Sequence, residues 1–100
     1  MRDRARGYGL KVYAGTLTPT GGTTGLFDYF SASGESHRQA VNHWLRNGAG
    51  LDGIADFDAA LSDPTEPTRL DARFDSGDHL HLNDCGYKVM ADTVVAMFQR

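Results

Sequence analysis

Apolar positions along the chain follow two patterns: short runs rich in β-branched residues, and longer stretches with helical spacing. Residues 10–16 form a run of the first kind between Gly9 and Pro19 and are predicted to be a strand. Residues 51–57 have the same character and are predicted to be a second strand. Because the segment between them has helical spacing, the order strand–helix–strand predicts a βαβ unit with parallel strands and a right-handed crossover.

The helix between the two strands has start, stop and face signals. Ser33 is expected to be its N-cap, and Glu35 lies in the first turn, where the helix dipole favours an acidic group. Residues 46–48 supply a cation and a glycine, which are typical of a helix end. The apolar face of this helix comprises Ala40, Val41, Trp44 and Leu45.

The last helix is predicted to run from about Asn83 to Phe98. An apolar stripe along it predicts packing against the sheet. The stripe comprises Tyr87, Met90, Ala91, Val94 and Phe98. A helical turn is expected at residues 59–61, and residues 1–6 are expected to be the end of a helix that glycine stops.

Two long loops, residues 17–33 and 58–82, follow the predicted strands. Loops of this length in a small domain are often functional, and ligands of parallel α/β folds bind at the carboxyl ends of the strands. Both loops are therefore expected to lie on one rim with residues 78–81. The aromatic residues Phe27, Tyr29 and Phe30 are expected to pack into the core under the first loop, the alternative being a substrate-pocket wall.

Composition and charge exclude several classes of protein. The chain has 100 residues, 40% of them apolar and 23% charged, which is typical of one small globular domain. A net charge of −3 without a basic stripe argues against nucleic-acid binding, and no apolar run is long enough to span a membrane. The single cysteine, Cys85, cannot form an internal disulfide. No cofactor is predicted, and the first residues show no signal-peptide pattern, so localisation stays unassigned.

Residues 75–84 carry the densest chemistry, with three aspartates, two histidines and one serine in ten residues. Asp78 precedes His81 by three residues. At that spacing the carboxylate can hold one ring nitrogen of the imidazole, while the other nitrogen accepts a proton from a nucleophile. The pair therefore predicts the acid and base of a nucleophilic hydrolase.

Three alternatives remain open for this segment. His79 and His81, with nearby carboxylates or Cys85, have the ligand types of a zinc site, although the spacing matches no strong zinc signature. Ser76 is a candidate nucleophile paired locally with either histidine. The whole segment is also typical of a capping and turn network in which Asn83 caps the last helix.

Residues 77–87, together with Met90 and Ala91, resemble the last conserved block of the SGNH/GDSL hydrolases. These are esterases and acylhydrolases whose Asp-x-x-His-Pro block supplies the acid and base of a catalytic triad. The match extends upstream to residues 10–19, 34–44, 56–58, 63–64 and Arg69. The resemblance implies that Asp78 is the orienting acid, that His81 is the base, that the substrate is a small-molecule ester, and that the fold is a three-layer, flavodoxin-like α/β fold.

The chain departs from the family pattern in two ways. Leu82 stands where the family has proline, which is expected to loosen the loop. The Gly-Asp-Ser nucleophile block and the two oxyanion blocks of the family are not found in residues 1–100. The resemblance therefore implies that residues 1–100 are the C-terminal portion of a single SGNH hydrolase domain and are inactive alone. The alternative is a non-catalytic α/β binding module. Two strands leave an exposed edge, which predicts self-association.

Overall fold

The computed structural model describes residues 2–23 and 29–99, so Phe27 lies outside the described residues. The described elements, in chain order, are α1 (Arg2–Gly7), β1 (Tyr13–Gly15), α2 (Ala32–Asn47), β2 (Gly53–Ala55), α3 (Phe57–Leu61) and α4 (Asp84–Phe98). Within these residues, no helix has both the length and the apolar character needed to cross a membrane.

The two strands pair in parallel, which confirms the predicted strand–helix–strand unit. Tyr13 lies opposite Gly53, and Gly15 lies opposite Ala55. The strands are three residues long and thus shorter than predicted. Before β1, the amide of Val12 donates to Oδ2 of Asp52 at 2.6 Å, so a side chain replaces the backbone partner that a longer ladder would need.

The boundaries of two helices differ from those predicted. Helix α2 begins at Ala32 because the hydroxyl of Ser31, not Ser33, accepts a hydrogen bond from the Gly34 amide at 3.0 Å. Phe57 was expected to end the second strand but begins α3, where Oδ1 of Asp56 accepts the Ala59 amide at 3.1 Å and caps the helix.

Helix α2 turns a polar side toward the core, whereas Trp44 on its apolar face is 56% exposed. Asn42 is fully buried: its Oδ1 accepts the Leu17 amide at 2.7 Å, and its Nδ2 donates to the Leu17 carbonyl at 3.0 Å. Leu17 follows the end of β1, where the backbone has no strand partner. The Asn42 amide satisfies these backbone groups, and this requirement decides which face of α2 points inward.

An ionic network extends this polar contact to α3. Buried Arg38 donates from Nη1 to Oδ1 of Asp58 at 2.7 Å and to the Leu17 carbonyl at 3.0 Å, and it also pairs with Glu35. Arg46 donates to Oδ2 of Asp58 at 3.0 Å. The hydrogen bond from Arg38 lowers the pKa of Glu35 below its ordinary value, although burial opposes the shift.

The apolar core lies beneath the segment that carries Asp78 and His81. Its buried members are Leu61, Leu70 and Leu82. Helix α4 joins the core through Val89 and Met90. The predicted stripe on α4 is only partly inward, since Tyr87 and Phe98 are both more than half exposed.

The aromatic residues of the first loop do not all pack inward. Tyr29 is 57% exposed, so the prediction that it fills the core is wrong, and Phe30 is partly buried. The hydroxyl oxygen of Thr23 accepts the backbone amides of Tyr29 at 3.0 Å and Phe30 at 3.1 Å. The Thr23 side chain thus fixes the backbone of Tyr29 and Phe30.

Candidate active site

Asp78 and His81 form a hydrogen-bonded pair. Oδ2 of Asp78 lies 2.6 Å from Nδ1 of His81. The other carboxylate oxygen accepts the backbone amides of Leu80 at 2.9 Å and His81 at 2.8 Å. One carboxylate therefore holds both the backbone and the ring of His81. The predicted spacing of three residues works because a single tight turn makes all these contacts.

The surroundings of Asp78 keep its carboxyl group ionised, so both of its oxygens accept hydrogen bonds. The hydrogen bond from the His81 ring, followed by those from the amides of His81 and Leu80, lowers the pKa of Asp78 far below its ordinary value. An ionised Asp78 requires Nδ1 of His81 to carry the proton. In the neutral ring, Nε2 is then the proton acceptor, and the His81 side chain is 65% exposed.

Ser76 supports the pair. Its hydroxyl donates to Oδ1 of Asp78 at 3.1 Å, and its amide donates to the His81 carbonyl at 3.0 Å. The hydroxyl is directed at a carboxylate that cannot take its proton, because that carboxylate has a strongly lowered pKa. This arrangement does not favour Ser76 as a nucleophile.

The core fixes the turn from below. Leu82 is only 8% exposed and packs with Leu61 and Leu70. Asn83 caps α4 by accepting the Gly86 amide at 2.8 Å, as predicted, and its Nδ2 donates to the Arg73 carbonyl at 3.0 Å. The Leu82 side chain therefore anchors the turn to the core, while a loop looser than one with proline at this position stays a prediction.

A second carboxylate–histidine pair stands beside the first, and the sequence analysis did not identify it. Nδ1 of His79 lies 2.6 Å from Oδ2 of Asp75, whose side chain is 8% exposed. Oδ1 of Asp75 also accepts the amides of Gly77 at 2.8 Å and His79 at 3.0 Å. Burial raises the pKa of Asp75, but these hydrogen bonds outweigh it and lower the pKa overall. The spacing Asp-x-x-x-His was the available signal.

The loop after β1 and residue 69 of the loop after α3 both approach His79. The Cβ that a side chain at Gly22 would carry lies 3.3 Å from Cγ of His79 and 3.5 Å from Cζ of Arg69. Gly22 belongs to the loop after β1, and Arg69 to the loop after α3. His79 thus lies where both loops come together, next to the Asp78–His81 pair in sequence.

The zinc alternative finds no ligand cluster. His79 and His81 are each bound to a different aspartate, and across residues 2–23 and 29–99 no three histidine, cysteine or acidic side chains converge to hold a metal. The capping and turn network is also present and is compatible with the Asp78–His81 pair, because Asp75 and Asp78 accept hydrogen bonds from backbone amides as well. Capping and orientation of the rings are two functions of the same carboxylates.

The family model for GDSL-like lipases and acylhydrolases matches residues 2–94. Because the match covers nearly the whole chain, the chain belongs to that family. Its parallel strand pair with flanking helices is part of the family's flavodoxin-like α/β fold. No curated protein matches the chain significantly.

Proposed function

We propose that this chain supplies the acid and the base of an ester hydrolase active site, with Asp78 as the orienting acid and His81 as the base. The hydrogen bond of 2.6 Å between Oδ2 and Nδ1 carries the proposal, since it leaves Nε2 of an exposed ring as the proton acceptor. Membership of a lipase and acylhydrolase family supports a small-molecule ester as the substrate.

The proposed reaction uses His81 twice. Nε2 takes the proton of a serine hydroxyl as the serine oxygen bonds to the ester carbonyl carbon, and ionised Asp78 stabilises the resulting imidazolium. The imidazolium then gives that proton to the departing alcohol oxygen as its bond to the carbonyl carbon breaks. In the second half, water replaces the serine as the attacking group, and His81 repeats the transfer to restore the serine.

We further propose that residues 1–100 are the C-terminal portion of one such domain and that the nucleophile and oxyanion donors come from outside them. Removing the serine of a Ser-His-Asp enzyme lowers turnover on the order of a million-fold. Removing the oxyanion donors as well takes away the residual rate. The 100 residues alone are therefore expected to have no meaningful esterase activity.

The first experiment measures hydrolysis of p-nitrophenyl acetate by the chain, by a His81→Ala variant and by a His43→Ala variant. His43 is an exposed histidine on α2 and controls for the intrinsic reactivity of imidazole. The two variants each have one histidine fewer than the chain, and both are expected to hydrolyse the ester more slowly than it only in proportion to that loss. A chain far faster than its His81→Ala variant would contradict inactivity of these residues alone.

The second experiment tests the assigned roles in a protein that joins these residues to a Gly-Asp-Ser half of the same family. Asp78→Asn and His81→Ala are each expected to lower kcat on the order of 10⁴-fold or more. His43→Ala is expected to leave kcat unchanged. Full activity in the His81→Ala protein would refute the role of His81.

Self-association through the exposed edge of β1 is the proposal for partners. The described sheet has two strands, so β1 pairs on one side only. Near that edge a groove between α1 and α2 is lined by Val12, Tyr13, Trp44 and Leu45.

Sedimentation is expected to show concentration-dependent association that Trp44→Lys weakens and that Val95→Lys, at an exposed site on α4, does not. A monomer at all concentrations would contradict association and leave the non-catalytic binding module to be tested with other partners.

A further inference from the structure

We propose that Arg69 and His79 form a subsite for an anionic group, carboxylate or phosphate, carried by the ester substrate. This inference rests on the proposed function, because it places the anion next to the base, His81. The expected substrates are therefore esters that bear a negative charge close to the ester bond.

A turn of two glycines builds the subsite. The Gly21 amide donates to the Thr68 carbonyl at 2.7 Å, and a Cβ at Gly21 would lie 2.3 Å from that same oxygen. Gly22 has a φ of +91°, a left-handed conformation that favours glycine. The turn therefore approaches residues 68 and 69 more closely than side chains would allow. The Arg69 side chain lies along it, its Cγ 3.0 Å from the Cβ position of Gly21.

The guanidinium of Arg69 is available to a ligand. Among the arginines of the described residues, five form ion pairs with carboxylates: Arg2, Arg6, Arg38, Arg46 and Arg73. Arg69 is exposed, and over residues 2–23 and 29–99 its guanidinium has neither a hydrogen bond nor an ion pair. Asp75 and Asp78 on the neighbouring segment form no ion pair with it, because each directs its carboxylate oxygens to a histidine ring and to backbone amides. A free guanidinium fork matches carboxylate and phosphate oxygens.

His79 supplies a second, fixed polar atom. Asp75 holds its Nδ1, so Nε2 is the ring nitrogen that remains for a ligand. Because the proton of a neutral ring is on Nδ1, Nε2 donates to an anion in the imidazolium form of His79. His79 also has a φ of +63°, a left-handed backbone that is uncommon for a residue other than glycine. Strained residues of this kind are concentrated at ligand clamps and active sites. The strain is maintained here by the bonds to a buried carboxylate, which hold the ring against Gly22 beside Arg69.

The position of the pair relates the anion to the reaction. His79 and His81 are two residues apart on one hydrogen-bonded turn, and each ring is held by its own aspartate. An anion on Arg69 and on the Nε2–H of a protonated His79 would therefore orient the rest of the substrate relative to His81. Esters of phosphorylated or carboxylated alcohols fit this arrangement, whereas a neutral ester leaves the guanidinium without a partner.

The test is titration of the chain with inorganic phosphate, and separately with acetate, followed by NMR of the His79 ring and the Gly22 amide. Sodium chloride at equal ionic strength is the reference. Saturable shifts are expected with phosphate, acetate or both, and the two titrations show which anion the site prefers. Arg69→Gln is expected to weaken binding roughly tenfold or more, because a charge-assisted bidentate contact is lost.

Arg4→Gln is the matched control, since Arg4 is exposed on α1 and its guanidinium, like that of Arg69, has no ion pair in the described part of the chain. The affinity of Arg4→Gln for the anion should equal that of the unmodified chain.

Arg69→Lys keeps the positive charge without the planar guanidinium, and this variant is expected to bind the anion less tightly than the unmodified chain. It replaces Arg69→Gln if that variant does not fold. Equal binding by the Arg69 variants and Arg4→Gln, or shifts matched by chloride, would overturn the subsite. His81→Ala should keep the anion site, so failure of the proposed catalysis is distinguishable from failure of this inference.

Discussion

Asp78 binds His81 twice, through Oδ2 to ring Nδ1 at 2.6 Å and through Oδ1 to the backbone amide at 2.8 Å. The two contacts use different oxygens of one carboxylate. Ring and backbone are therefore fixed together, and the orientation of the imidazole depends on residues within a single turn. This makes the local effect of Asp78 on the tautomer measurable without any substrate.

In the Asp78→Asn variant, the neutral ring of His81 is expected to lose its preference for a proton on Nδ1. An amide can present either an acceptor or a donor to that nitrogen, whereas an ionised carboxylate presents only acceptors. Long-range ¹H–¹⁵N spectra of the histidine rings measure the tautomer. Asp75→Asn is the matched control, because it should alter the His79 signals and leave those of His81 in place. A His81 spectrum unchanged by Asp78→Asn would disprove the orienting role.

Leu82→Ala is expected to lower the free energy of unfolding by about 2–4 kcal/mol, because the side chain is buried against Leu61 and Leu70. Urea denaturation measures the loss. Leu10→Ala removes the same atoms from a side chain that is 59% exposed, and is expected to change stability by less than about 0.5 kcal/mol. Equal effects of the two variants would show that Leu82 does not anchor the turn.

Asn42→Ala is expected to cost about 1–3 kcal/mol, since it removes a fully buried side-chain amide that bonds both backbone groups of Leu17. Asn47→Ala, on the exposed side of the same helix, is expected to cost less than about 0.5 kcal/mol. Urea denaturation of both variants compares the two positions. A small loss at Asn42 would mean that water or another group replaces the amide at Leu17.

Stability is expected to fall in acid partly through Glu35. The hydrogen bond from Arg38 lowers the pKa of Glu35 in the folded chain, so near the ordinary glutamate pKa the unfolded chain binds more protons. The Glu35 contribution is therefore complete above that ordinary pKa and is lost as the pH falls through the folded one. Glu35→Gln should flatten the decline in unfolding free energy between about pH 5 and pH 3. Glu66→Gln, at an exposed position, should leave the decline as it is; a decline equally steep in both variants would contradict the role of the Arg38–Glu35 pair.

Features that depend on neighbouring residues could be predicted from the sequence. The Asp78 and His81 spacing, the Asn83 cap and the parallel strand pair all follow from short-range geometry or from the order of the elements. The resemblance to SGNH/GDSL hydrolases is confirmed by the family match over residues 2–94. In each case the interacting groups lie within one turn, or one crossover fixes the direction of the strands.

The tertiary structure alone decided which groups meet across long sequence separations. Asn42 is buried rather than Trp44 because the backbone at Leu17 needs hydrogen-bond partners after β1 ends, and no periodicity in α2 contains that requirement. Likewise, the approach of Arg69 to His79 depends on the left-handed turn at Gly22, which brings together two loops 47 residues apart. The sequence by itself determined the Asp78–His81 pair, because the contacts of the pair are local. The surroundings of the pair were decided by backbone groups whose hydrogen-bond partners are residues distant in the sequence.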